Sequence, residues 1–189
     1  MRVTDDRYSR DRQRFDLAFR MIQHEARTRT IRQWTGLSDD RIRKLYRTYV
    51  VAHGATLKRH RGKSPSRVGY FLKNIEVRRH TAALAGLFSL LGLLQEAARA
   101  RGPAGTQAAL RWGELFCRSY ETYLALHGPG PLSFEHASHL LHLLERRGEL
   151  SPGACPGCRG LMVFDALRSQ RGLCAWCESE LREQHLNRG

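Results

Sequence analysis

Residues 155–177 read CPGCRGLMVFDALRSQRGLCAWC. Two C-x2-C pairs, Cys155/Cys158 and Cys174/Cys177, are separated by 15 residues, a spacing that reads as a zinc site. Each pair makes a tight turn that offers two thiolates, and four thiolates close a tetrahedral shell around zinc at about 2.3 Å. Pro156, Gly157 and Gly160 suit the first turn, and Gly172, just before the second pair, is free to take a positive φ. Two disulfides or a redox dithiol are the alternatives. A reducing compartment disfavours the first, and no βαβ pattern surrounds either pair as the second would require. The expectation is one zinc ion per chain, acting as a folding clamp, because a filled shell keeps no position for a reactive water. The surrounding segment has little core of its own, chiefly Leu161, Met162, Val163, Phe164, Leu167 and Trp176. The composition turns to Gly, Pro and Cys from Gly148. Residues 1–149 are therefore expected to form a helical body, and residues 150–189 a zinc-binding domain with its tail.

Upstream of the cysteines the chain reads as all-α. From about Asp11 to Trp34, Phe15, Leu17, Ala18, Phe19, Ile22, Ala26 and Ile31 recur at near-helical spacing. Thr35, Gly36 and Leu37 interrupt the pattern. Ser38 stands where an N-cap belongs, with Asp39 and Asp40 in a first turn that favours negative charge. Ile42, Leu45, Tyr46 and Tyr49 form one face of the next helix, which is expected to end near His53. A further helical stretch starts near Ser66 and breaks around Asn74, before a long apolar segment holding Leu84, Leu87, Phe88, Leu91 and Leu94. Gly102, Pro103 and Gly105 mark a turn. Helices are then expected over about Thr106–His127 and from Ser133 to about Arg147, on either side of the His127-Gly-Pro-Gly-Pro131 break.

The stretch from about Ala26 to Tyr46 has the spacing of a helix-turn-helix. Gly36 supplies the turn, and Leu37 plugs the junction. With Ile42 and Leu45 facing inward, Arg41, Arg43, Lys44 and Arg47 are the expected DNA contacts on the outer side, the side a recognition helix offers to the major groove. Arginine can read guanine bidentately, while lysine contacts phosphate. Lys58, Arg59, Arg61 and Lys63, in a basic loop, could add phosphate contacts. The plain alternative is a helical hairpin with a solvated basic face.

The charge sits in the same region. The chain has 189 residues, 32 Lys+Arg against 18 Asp+Glu, and a net charge of +14. Residues 1–80 hold 21 Lys+Arg and 8 Asp+Glu, a balance of +13, and residues 81–189 hold 11 and 10. A polyanion partner fits such an imbalance. The longest apolar run, about Thr81 to Leu94, is shorter than the roughly 18 residues of a spanning helix, and the basic segments lack an apolar opposite face for lipid. The first 20 residues contain no apolar signal core, so a cytoplasmic location without membrane association is expected. His136, His139 and His142 lie three residues apart on one expected helix, but drift at 3.6 residues per turn separates the third from the first, and they read as a partly exposed polar face. Cys117 reads as a small buried thiol. A zinc enzyme would need an open metal position and a nearby base, so a non-enzyme is expected.

The segment Thr35-Gly-Leu-Ser-Asp-Asp-Arg-Ile-Arg-Lys-Leu-Tyr46, the Pro65-Ser66 step, the Leu-rich middle helices and the cysteine pairs after Gly148-Glu-Leu150 resemble the FlhC family of flagellar transcriptional activator subunits. The resemblance spans roughly residues 15–178. It implies an all-α DNA-binding subunit whose zinc ligands are Cys155, Cys158, Cys174 and Cys177. It also implies assembly with an FlhD-like partner in a heterohexamer on promoter double-stranded DNA, and activation through RNA polymerase. The readings kept beside it are a paralogue with non-flagellar targets and a non-catalytic interaction scaffold.

Overall fold

A computed structural model describes residues 3–53, 65, 67–96, 103–146, 149–168 and 172–186. The helices are α1 (Val3–Gln23), α2 (Thr28–Thr35), α3 (Asp39–His53), α4 (Ile75–Leu90), α5 (Leu93–Glu96), α6 (Gln107–His127), α7 (Phe134–Arg146) and α8 (Ala175–Leu186), with a 3-10 turn at Val68–Leu72. Two strands, β1 (Leu150–Ala154) and β2 (Leu161–Asp165), form the one sheet among the described residues. The protein is thus mostly helical with a small sheet, and the all-α expectation is corrected at the cysteine end. The chain packs as two compact units, residues 1–64 with 96–118 and residues 65–95 with 119–189. Division by composition at 149/150 and division by packing are different cuts: the cysteine segment shares its unit with α4 and α7.

In the first unit, the long periodic stretch is two helices rather than one. α1 stops at Gln23 because Glu25 takes φ +56°. The Glu25 N–H donates to the Ile22 carbonyl at 2.9 Å and the Ala26 N–H to the Met21 carbonyl at 3.0 Å. This is a Schellman closure, with Met21 and Ala26 both fully buried beneath it. α2 ends at Gly36, where φ is +68°. A Cβ there would stand 3.0 Å from the Ala104 carbonyl oxygen and the Gly105 Cα, so glycine is demanded by both the torsion and the close approach. α3 then starts on Ser38, whose Oγ accepts from the Arg41 N–H at 3.4 Å. Leu17, Ile22, Ile31, Trp34, Leu37, Ile42 and Tyr46 are buried, and the first half of α6 adds Leu110, Trp112 and Phe116. Trp34 and Phe116 stack with centroids 6.0 Å apart. Cys117 is fully buried, next to Phe116 in the chain.

In the second unit, Asn74 caps α4, its Oδ1 accepting from the Val77 N–H at 2.8 Å. α4 buries Val77, Leu84, Ala85 and Phe88, and α7 buries Phe134, Leu140, Leu141 and Leu144. The Tyr70 hydroxyl donates to the Pro131 carbonyl at 2.6 Å. The sheet is an antiparallel hairpin pairing Leu150 with Asp165 and Ala154 with Leu161. Pro152 and Gly153 are poor strand residues, but in a two-stranded sheet each strand is an edge, where proline costs least.

Candidate metal centre and basic helix

The hairpin loop and the start of α8 bring the four cysteines together. Their Sγ atoms all lie within 4.8 Å of one another. The Cys158 and Cys174 sulfurs are 3.6 Å apart, and those of Cys155 and Cys177 are 4.0 Å apart. The two separations bracket the edge of about 3.8 Å that four sulfurs at zinc–sulfur distance would share, and both are far beyond a disulfide bond. All four thiols are free. Among the described residues this is the only group of three or more His, Cys, Asp or Glu side chains close enough to hold a metal ion.

The local backbone explains the convergence. The Cys155 N–H donates to the Gly160 carbonyl at 2.8 Å, and the Arg159 N–H to the Cys155 carbonyl at 3.0 Å. Arg159 takes a positive φ in this knuckle, +64°, whereas Gly172, the glycine expected to supply one before the second pair, does not. A Cβ on Gly157 would lie 3.3 Å from the Cys177 sulfur, and one on Gly160 would lie 3.3 Å from the Cys158 sulfur, so both glycines leave room for the sulfurs. The second pair straddles a helix start. The Cys174 sulfur accepts from the Cys177 N–H at 3.5 Å, and the Glu178 N–H donates to the Cys174 carbonyl at 3.0 Å. Cys174 therefore occupies the N-cap of α8, where the helix dipole favours a thiolate. The Cys174 N–H in turn donates to the Cys155 sulfur at 3.3 Å.

These donors act on the thiols. Burial pushes Cys155 up, yet the N–H groups of Cys158, Cys174 and Gly157 outweigh it and bring this thiol down to about 6. Cys177 is pushed up to about 12, first by its hydrogen bonds with the Cys158 and Cys174 thiols and then by burial. Four sulfurs this close cannot all ionise without a cation among them, so the donor set fits a soft divalent metal. Apolar support is thin: buried Cys155, Met162 and Cys174, with Phe164, Leu173 and Cys177 packed against them.

α8 and its contacts with α4 had no signal in the sequence. Arg78 of α4 donates to the Glu178 carboxylate and to the Leu173 carbonyl, and Arg79 donates to the Ser179 Oγ at 2.6 Å. The Arg78 hydrogen bond holds the Glu178 carboxyl below the usual carboxylate range against partial burial, with Arg182 adding to it.

The other candidate residues lie on α3. Arg41, Arg43, Lys44 and Arg47 are all exposed, while Ile42 and Tyr46 are buried and Leu45 is half-buried. The Arg43 guanidinium meets the Asp40 carboxylate at 2.7 Å on the helix surface, and Arg32 meets Asp39 at 3.3 Å. Lys58, Arg59, Arg61 and Lys63 lie outside the described residues. The three histidines of α7 do not form a metal site: His136 stacks on Tyr70 with centroids 4.3 Å apart, and His139 tilts against Phe71 at 5.8 Å. No described helix is long and apolar enough to cross a membrane. No protein-family model matches this chain, and no curated protein matches it.

Proposed function

We propose that this chain is a non-catalytic, DNA-binding subunit of a transcription activator complex. The observation that carries the reading is α3: four cations exposed over two turns, with Ile42 and Tyr46 of the same turns buried, following α2 through the short Gly36–Ser38 connection. On this reading α2 and α3 work as a helix-turn-helix with α3 in the major groove. Arg41, Lys44 and Arg47 reach phosphates and base edges, and Arg43 exchanges its Asp40 partner for DNA. Lys58, Arg59, Arg61 and Lys63 add phosphate contacts. Cys155, Cys158, Cys174 and Cys177 hold one zinc ion, which clamps the hairpin to α8. Four thiolates fill its shell, so the ion shapes the fold and activates no water.

The resemblance to the FlhC family extends the proposal. The subunit works in the cytoplasm with an FlhD-like partner in a heterohexamer, on flagellar promoters, and recruits RNA polymerase by proximity. A paralogue with other promoters would differ in the sequence that α3 reads.

The test is binding of the full chain, with and without the partner, to labelled promoter duplex across a salt series. Affinity is expected to fall steeply with salt. The triple change Arg41→Ala, Lys44→Ala, Arg47→Ala is expected to flatten the log–log slope by about 0.9 for each phosphate that is no longer neutralised. A triple variant that folds and binds with the wild-type affinity and slope would overturn the assignment of α3.

A further inference from the structure

We propose that Arg78 and Arg79 are positioning residues for the metal centre, forming a two-arginine clasp that fixes the second cysteine pair on α4. The inference rests on the reading of the four cysteines as a metal site. Arg78 grips both flanks of the pair. One guanidinium nitrogen donates to the carbonyl of Leu173, the residue before Cys174, and another to the carboxylate of Glu178, the residue after Cys177. Arg79 holds the middle. Its guanidinium lies over the ring of Trp176, 5.5 Å from the centroid, and donates to the Ser179 Oγ. That hydroxyl in turn donates to the Trp176 carbonyl at 2.8 Å. Each flank of the Cys174–Cys177 pair, and Trp176 of the two residues inside it, is thus tied to adjacent positions of one helix.

Two physical arguments make this more than surface pairing. The first is geometric. The Arg78 side chain is only 20% exposed and uses the planar fork of the guanidinium on two acceptors at once, which a lysine cannot reproduce. Arg182, which meets the same Glu178 carboxylate, is 66% exposed and makes no bond to the Leu173 flank. The second is electrostatic. Four thiolates around one divalent ion leave a net charge of about −2, and groups that hold the ligands from outside tune how firmly such an ion is kept. Arg78 and Arg79 together exceed the Glu178 carboxylate by one positive charge, which offsets part of that −2. The clasp also sets the entry of α8, and with it the Cys174 cap.

The experiment uses the full chain loaded with zinc and challenged with a chromophoric chelator, alongside the cobalt-substituted protein read by its absorption bands. Arg78→Ala is expected to speed metal release by about 10–100-fold and to shift the tetrahedral cobalt bands. Arg78→Lys should fall between it and wild type, and Arg79→Ala should give a smaller acceleration. Arg182→Ala should stay within about twofold of wild type, since it leaves the fork intact. Tyr70→Phe removes the bond to Pro131 in the same unit, away from the cysteines, and is the control for reduced stability. It should lower the melting temperature without moving the cobalt bands. If Arg78→Ala fails to fold, Arg78→Lys decides. Wild-type release and wild-type bands in the Arg78 variants would overturn the clasp, as would a Tyr70→Phe variant that releases metal as fast at equal loss of stability. A wild-type chain that takes up no zinc or cobalt overturns the clasp together with the metal reading beneath it.

Discussion

α3 and α8 begin in the same way and are held in opposite ways. Ser38 caps α3 with a hydroxyl and Cys174 caps α8 with a sulfur. Behind α3 stands a packed wall: Ile22, Ile31, Ile42 and Phe116 are fully buried and Trp34 nearly so. Behind α8, beside the arginines of α4, stands one small cluster in which two of the three buried members are themselves cysteines. The first unit thus fixes a charged surface with ordinary hydrophobic packing. The cysteine end of the second fixes its backbone with the same groups that would bind the ion. Changes to charge on α3 should therefore alter a ligand and spare the fold, whereas changes at the sulfurs should alter the fold itself.

The contrast breaks most visibly at the cysteines. Cys155→Ser or Cys174→Ser should drop metal content well below one zinc per chain and unfold the hairpin and α8, since structural zinc contributes about 10–16 kcal/mol in small metal-clamped domains. Metal analysis of the purified chain and hydrogen exchange by segment check both halves, and protection of α1–α3 should persist. The mirror experiment is Phe116→Ala, which removes the ring stacked on Trp34. It should destabilise the first unit by about 3–5 kcal/mol in denaturant melts while the zinc content stays at one. Loss of metal in that variant would erase the distinction between the two ends.

A smaller effect comes from pH. Burial, and next the nearby His127, hold His80 below the usual 6.5, against a weaker pull upward from Glu76. Its Nδ1 meets the Tyr123 hydroxyl at 2.8 Å. The folded chain then binds fewer protons at this site than the unfolded chain, so stability falls as pH drops through about 6.5 and levels off below the depressed folded value. His80→Gln should lessen the fall in melting temperature of the second unit between pH 7.5 and 5.5, leaving the share from His136, which burial also holds below 6.5. The smallest expected effect is at Asp40. Asp40→Ala removes a first-turn acid, costing α3 about 0.3–1 kcal/mol. It also releases Arg43, and DNA affinity should rise by a few-fold in the same salt series used for the triple variant.

What the sequence discloses follows from whether a structural cause is local. Ser38, Asp39 and Asp40 mark the start of α3 within four residues, and Gly36 marks the end of α2, so both boundaries are readable. The C-x2-C spacing is equally local. The end of α1 is not readable, because Glu25 adopts a left-handed torsion for which glycine or asparagine is the usual signal. The hairpin is obscured by Pro152 and Gly153, which speak against a strand and are tolerated only at an edge. The Arg78 fork is silent for a different reason: its acceptors lie 95 and 100 residues away in the chain, and an arginine at a helix start carries no mark of its distant partner.

The interleaving of the two units bears on how the chain is made. The first unit needs residues 96–118 before it can close, and residues 65–95 belong with a segment that begins only at Ser119. At roughly 5–20 residues per second, synthesis of residues 119–189 takes about 4–14 s. Until α7 and then β2 have been made within that interval, the apolar side of α4, with Val77, Leu84 and Phe88, lacks the cover they give it. Both cysteine pairs follow α7 in the chain, so the proposed clamp can be set only after α4 and α7 have been made. A chain cut at 149/150 would keep α7 against α4 but lose β2 and α8, leaving Arg78 and Arg79 without the acceptors at Leu173, Glu178 and Ser179.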